Sequence, residues 1–158
     1  PENVDLAFAT QTTLSVDDTA EIISILQFRF PEINGPRGED ICYATTNRQN
    51  AVKHIAEHCD LVLTVGAENS SNSNRLVEVA LRGGAKAGRL IADRNAIDWA
   101  EVDRAVHIGL SAGASAPESL VMEIIDEMRE RYDLQLDEDA LVEETLTFKL
   151  PAILTSEA

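Results

Sequence analysis

Long apolar runs, basic residues and cysteines are all scarce in this chain, and each scarcity removes a class of function. No hydrophobic stretch approaches the roughly 18 residues that a membrane span needs, and nothing at the N-terminus reads as a signal peptide. Over 158 residues there are 13 Lys+Arg against 28 Asp+Glu, a formal net charge of −15. A surface that negative repels phosphodiester backbones and anionic lipid head groups, which disfavours nucleic acid and membrane partners. Two cysteines, Cys42 and Cys59, cannot form a secreted disulfide framework, so a reducing cytoplasm is the expected compartment. A Walker loop and a dinucleotide fingerprint are also missing. Residues 113–117 do not make a nucleophile elbow, because Pro117 replaces the last glycine and all three histidines precede Ser115. What remains, 44% hydrophobic and 26% charged, is the composition of one compact globular unit or of pieces of two small ones.

The acid is placed unevenly. Residues 1–39 hold 7 acids and 2 bases, residues 126–158 hold 10 and 3, and the whole of residues 40–125 holds 11 and 8. The middle is close to neutral, and the densest acid, from Asp133 to Glu144, reads as a solvated face or a loose terminus. Pro1 is not an initiator methionine and a strand-like run follows almost at once, so the chain is expected to be an excised piece of something longer.

Aliphatic runs alternate with amphipathic helical patterns, the grammar of an α/β protein with a mostly parallel sheet. Strands are predicted at residues 4–10, 40–44, 61–65, 88–92, 105–110 and 145–150. A helix over residues 16–30 would carry Ile22, Ile23, Leu26 and Phe30 as its apolar stripe and end at Pro31. A second would open at Thr46 with a Thr46–Gln49 capping box and bury Val52, Ile55, Ala56 and Cys59. A third would bury Leu76, Val79 and Ala80 and stop at Gly83-Gly84. A less regular stretch surrounds Trp99. A last helix, capped by Ser115 and Glu118, would bury Leu120, Val121, Ile124, Ile125 and Met128.

In open α/β sheets ligands bind beyond the carboxyl ends of the strands, where helix N-termini present unpaired amides. Four such loops here, residues 10–15, 42–47, 66–74 and 111–115, are rich in hydroxyls and amides. Capping explains any one of them, but four on one sheet edge could surround a phosphate-like anion with neutral donors. Cys42 belongs to the same layer. A helix N-terminus favours a thiolate nucleophile or a metal ligand there, and a structural thiol is equally compatible with the spacing. Cys59, on an apolar helix face, reads as a small buried hydrophobe. His54 and His58 stand four apart but point away from that face and lack a third ligand, so they read as solvated rather than zinc-binding.

Residues 10–19 (TQTTLSVDDT), 40–49 (DICYATTNRQ), 69–75 (NSSNSNR) and 112–118 (AGASAPE) resemble successive motifs of the 4-hydroxy-3-methylbut-2-enyl diphosphate reductases, the terminal iron–sulfur enzymes of the methylerythritol phosphate route to isoprenoids. The likeness covers the C-terminal half of that family. It implies an α/β fold of mostly parallel sheet lobes with flanking helices, three lobes around a central 4Fe-4S cluster. Residues 1–36 would close the middle lobe, residues 37–130 would form the third, and residues 131–158 would be an acidic C-terminal segment packing back on the first. By the same resemblance Cys42 is the third lobe's cluster ligand. The substrate's diphosphate falls to Ser70, Ser71, Asn72 and Ser115, Thr12 stands near its allylic end, and Thr13 and Thr45 are possible substrate-side neighbours. The proton-relay glutamate and the other two cysteines belong to the half not present. Ala67 and Ser111 depart from the serine and threonine common at those places.

The reaction so implied is a two-electron, two-proton removal of the allylic hydroxyl, giving isopentenyl and dimethylallyl diphosphates with electrons from a ferredoxin- or flavodoxin-type protein. The isolated piece is expected to be inactive, since one thiolate cannot hold a cubane. The competing expectation is a cluster-free phosphate- or diphosphate-binding α/β module with a structural Cys42. Its loops would suit an anion in spite of the net charge: residues 66–75, 42–50 and 109–117 sum to 0, +1 and 0, and acid more than about 8 Å away is largely screened at physiological salt.

Overall fold

A computed structural model describes residues 5–36 and 40–138. Its centre is a three-stranded parallel sheet, β1 (Leu61–Val65), β2 (Ala87–Ile91) and β3 (Ile108–Ala112), in the order β2-β1-β3. Central β1 is buried at all five positions, as a parallel strand covered on both faces should be. Its alternate side chains enter two cores. Leu61, Leu63 and Val65 pack with Ile91, Ile97, Val102, Ile124 and Met128, under α4 (Trp99–Val102) and α5 (Glu118–Arg131). Val62 points the other way, into Val52, Ala56, Leu76, Val79 and Ala80 of α2 (Tyr43–Ala56) and α3 (Ser71–Arg82).

Because β1 connects to β2 on one side and pairs with β3 on the other, its carboxyl end is the point where the strand order reverses. A crevice opens there in folds of this kind. Gly66 and Gly113 continue β1 and β3 beyond the ladder, their amides donating to Ile91 O at 2.9 Å and Val65 O at 2.8 Å. Any side chain at either would collide with α3: a Cβ on Gly66 or on Gly113 would lie 2.2 Å from Ser73 Oγ. The two glycines let the N-terminus of α3 sink between the strand ends.

The α/β class and most elements agree with the sequence reading, and the differences have local causes. The run expected as a strand at 4–10 forms, over its described residues, a single parallel bridge, Ala7 to Asn34, because Asn34 is the partner its backbone finds. Residues 40–44 are not a strand. Cys42 is already the cap of α2, its carbonyl accepting from the Thr45 and Thr46 amides at 2.8 and 3.0 Å. The Thr46 capping box therefore does not form, and Gln49 is spent elsewhere. The strand placed at 105–110 begins at Ile108, since the Val106 and His107 amides donate to the Asp60 carboxylate at 2.9 and 3.1 Å. Helix α5 starts without Ser115: its cap is Pro117, with no side-chain bond.

The first helix, α1 (Val16–Arg29), is capped by Ser15 and buries little; Ile22 is 57% exposed, and Ile25 and Phe28 also face outward. Salt bridges hold it to the sheet unit, Lys53 to Asp17 at 2.7 Å and Arg82 to Asp18 at 2.5 Å. Arg82 keeps the Asp18 carboxyl below its ordinary range. Among the described residues no helix is long and apolar enough to cross a membrane. The strand expected at 145–150 and most of the acidic segment lie outside the described residues.

Candidate functional site

The carboxyl-end layer gathers the hydroxyl-rich loops as the sequence suggested, and it does so through contacts that the sequence did not show. Helix α2 is the hub. Its cap, Cys42, donates its amide to Thr12 O at 3.2 Å, tying the cysteine loop to the loop of Thr12 and Thr13. Fully buried Gln49 strengthens that tie, donating to Leu14 O at 2.8 Å and accepting from Val16 N at 3.0 Å. The adjacent Arg48 reaches the opposite way and donates to Ala112 O at 2.9 Å, at the start of the Ser115 loop. A side-chain amide that exchanges two hydrogen bonds with a backbone fixes position on both sides, as a bridge in a ladder does. Arg48 was given no role from the sequence. Gln49 was read as a cap, and long-range partners 33 and 64 residues away leave no local signature.

Within this layer Cys42 has an exposed thiol, whereas Cys59 stands at the far end of α2 beside the start of β1. Fourteen helical residues separate them, about 21 Å of axis. Burial, with the nearby Asp60 charge, pushes the Cys59 thiol up, away from thiolate chemistry. Thr12 is exposed, Thr13 half-buried, and Thr45 buried in the first turn of α2.

The N-terminus of α3 is built for an acceptor. Ser70 caps it, taking the Ser73 amide on its hydroxyl at 3.3 Å. The Ser71 and Asn72 amides are first-turn donors with no acceptor inside the helix. Asn72 is 8% exposed, and among the described residues neither its side-chain nitrogen nor its oxygen has a partner. A buried amide so placed costs stability unless something completes it. Ser71 and Ser115 are exposed, and no side-chain hydrogen bond engages either among the described residues. Neutral donors at a helix's positive end, with no carboxylate bonded into the cluster, suit an anion. Among the described residues no group of three His, Cys, Asp or Glu side chains is placed to hold a metal ion.

The family model described as LytB protein matches residues 2–129. Over 153 residues the chain is 55% identical to the 4-hydroxy-3-methylbut-2-enyl diphosphate reductase of Hyphomonas neptunium, covering 97% of this chain and 49% of that protein. The enzyme of the same name from Agrobacterium fabrum is 58% identical over 144 residues, 91% of this chain and 41% of the relative. A solved E-1-hydroxy-2-methyl-but-2-enyl-4-diphosphate reductase from Plasmodium falciparum superposes with a TM-score of 0.87 at 34% identity, over 98% of this chain and 49% of that one. The chain thus spans about half the length of the relatives it matches. On the family match and these identities, the chain belongs to the LytB protein family.

Proposed function

We propose that this chain is the part of a 4-hydroxy-3-methylbut-2-enyl diphosphate reductase that grips the substrate's diphosphate and gives one cysteine to the iron–sulfur cluster. The observation that carries the reading is Asn72, whose buried side-chain amide lacks a partner among the described residues at an α3 N-terminus flanked by Ser70 and Ser71. Diphosphate oxygens would complete it. Ser70, Ser71 and Ser115 would donate to the same group, with the free amides of the α3 first turn. Held at that end, the substrate would extend its allylic carbon past Thr12 toward Cys42, whose loop Thr12 already touches through its carbonyl. Thr13 and Thr45 are neighbours on that path. Preorganised neutral donors bind the anion and orient the reacting carbon in one step.

The donor set fits a cluster in part. Cys42 presents one exposed thiol beside the substrate path, and half-buried Cys59 stands at the wrong end of the helix, so this chain would supply a single ligand and the remaining cysteines would come from elsewhere in the protein. A 4Fe-4S cluster bound there supplies electrons one at a time. The net change breaks one C–O bond and forms one C–H bond, consumes two electrons and two protons, and releases water. The proton-relay glutamate, and a ferredoxin- or flavodoxin-type electron donor, also lie outside this chain.

The test is anaerobic reconstitution of the intact protein and of this chain alone. Intact protein should bind stoichiometric iron and sulfide and convert the allylic hydroxy-diphosphate to isopentenyl and dimethylallyl diphosphates. A stoichiometric cluster on the isolated chain would defeat the single-ligand reading. An intact Cys42→Ser protein with unchanged cluster content would make Cys42 a structural thiol, and an intact protein that takes up no cluster would leave a plain diphosphate-binding module.

A further inference from the structure

Ser73 is 1% exposed, wedged where Gly66 and Gly113 leave room for its hydroxyl and nothing more. Its Oγ stands 2.9 Å from Ser70 Oγ, and Ser70 Oγ is the one hydrogen-bond partner that the described residues give it. Which serine carries the bridging proton follows from satisfaction. If Ser70 donated, the Ser73 proton would be left in a dry, fully enclosed place without an acceptor, a penalty that half-buried Ser70 does not incur. Ser73 therefore donates. Ser70 Oγ then accepts twice, from the Ser73 hydroxyl and from the Ser73 amide at 3.3 Å, and both of its lone pairs are engaged.

We infer that Ser73 is a positioning residue that fixes Ser70 as a hydrogen-bond donor, so that the Ser70 proton always points to an external anion. A serine with both lone pairs occupied cannot turn its oxygen toward a phosphate, which has only acceptors to offer. It also becomes a stronger donor, because each bond it accepts polarises its O–H. The device explains why two strand ends close on Ser73 through glycine: the wedge holds its Oγ still. It rests on the proposal that Ser70 binds the diphosphate.

A double-mutant cycle read by inorganic pyrophosphate inhibition of the intact, cluster-loaded protein tests it. Ser73→Ala removes one oxygen and no carbon, so the melting temperature and the cluster's visible spectrum should stay close to those of the parent. The pyrophosphate inhibition constant and KM should rise about 3- to 10-fold with little change in kcat, the range of one ordinary hydrogen bond. In a Ser70→Ala background the same change should alter the inhibition constant by less than about 2-fold, because the residue through which Ser73 acts is gone. Equal effects in both backgrounds would overturn the inference, as would no effect in the parent. If Ser73→Ala fails to fold, Ser73→Gly, which cannot clash with either glycine, is carried through the same cycle. Should Ser70→Ala itself leave pyrophosphate inhibition unchanged, the diphosphate reading of Ser70 fails first, and the two failures are told apart.

Discussion

At the amino end of β1, Asp60 has its carboxylate fully engaged: Oδ1 accepts from Lys86 Nζ at 2.6 Å, and Oδ2 from the Val106 and His107 amides at 2.9 and 3.1 Å. At the carboxyl end the accounting is the reverse. Five buried side-chain atoms lack partners among the described residues, Thr10 Oγ1, Thr46 Oγ1, Thr64 Oγ1 and both amide atoms of Asn72. All belong to the carboxyl-end layer: the approach to the Thr12 loop, the first turns of α2 and α3, and the penultimate position of β1. An unmade buried hydrogen bond costs roughly 1 to 3 kcal/mol, and a fold that spreads that cost over one face and none over the other has a reason for the asymmetry. The closed end is built for stability. The open end leaves polar groups unpaired among the described residues, in a layer that Gln49, Arg48 and the two glycines tie together.

The comparison breaks most visibly at Cys42. Cys42→Ser in the intact protein should remove stoichiometric iron and sulfide and lower turnover by more than about 100-fold, with far-ultraviolet circular dichroism unchanged, since the side chain makes no cap bond in α2. Retained iron and activity would return Cys42 to a structural role. Next in size is Asn72→Ala. If the orphaned amide is held for an anion, its loss should weaken pyrophosphate inhibition by about 10- to 100-fold, the range for bonds to charged groups. The melting temperature should hold or rise because an unsatisfied group has gone. A fall in melting temperature with unaltered inhibition would show Asn72 to be structural and remove the main support for the open end.

Much of this contrast was legible beforehand, for a physical reason. Residues 69–75 announce a helix N-terminus by composition, and the Leu76, Val79 and Ala80 stripe fixes which way that helix faces, while Asn72 itself was picked out by the family resemblance. Parallel strands buried on both faces read as short aliphatic runs, and β1 was found at its observed bounds. What could not be read were ties between distant segments. Gln49 fits a capping box with Thr46 in sequence, and it is drawn off because the Leu14 and Val16 backbone groups offer a buried pair of partners. Asp60, which the sequence did not single out, captures two amides and so delays β3 to Ile108. Ser115 was read as a cap. Its release from capping leaves its hydroxyl available, which helps the functional reading that the cap would have weakened.

Smaller effects sharpen the same contrast at its steric foundation. Gly113→Ala would set a Cβ 2.2 Å from Ser73 Oγ and should cost about 1 to 3 kcal/mol of stability, the usual range for overpacking. Urea unfolding measures it. At Gly88, whose nearest neighbour would be the Val77 side chain at 3.3 Å, the same change should be milder. Equal costs at the two glycines would mean that Ser73 moves freely and that the open end is less rigid than its packing implies.

The closed end makes the smallest and most pH-specific prediction. The Lys86 ammonium, then the His107 and Val106 amides, hold the Asp60 carboxyl far below its ordinary value of 3.8. A depressed folded value means that the unfolded chain takes up this proton first as pH falls. The stabilisation is therefore whole above the ordinary carboxylate range and is lost as pH drops through that range toward the folded value. Asp60→Asn should melt below the parent at pH 7, and the gap should narrow steadily below about pH 4, where the parent loses what the variant never had. Pyrophosphate inhibition of the intact protein at pH 7 should be the same for both, because Asp60 lies at the other end of the strand from the donors. A gap as wide at pH 3 as at pH 7 would mean that Asp60 stabilises by shape rather than by charge. A change in pyrophosphate inhibition would show that the two ends of the sheet are coupled, and the division of labour between them would have to be abandoned.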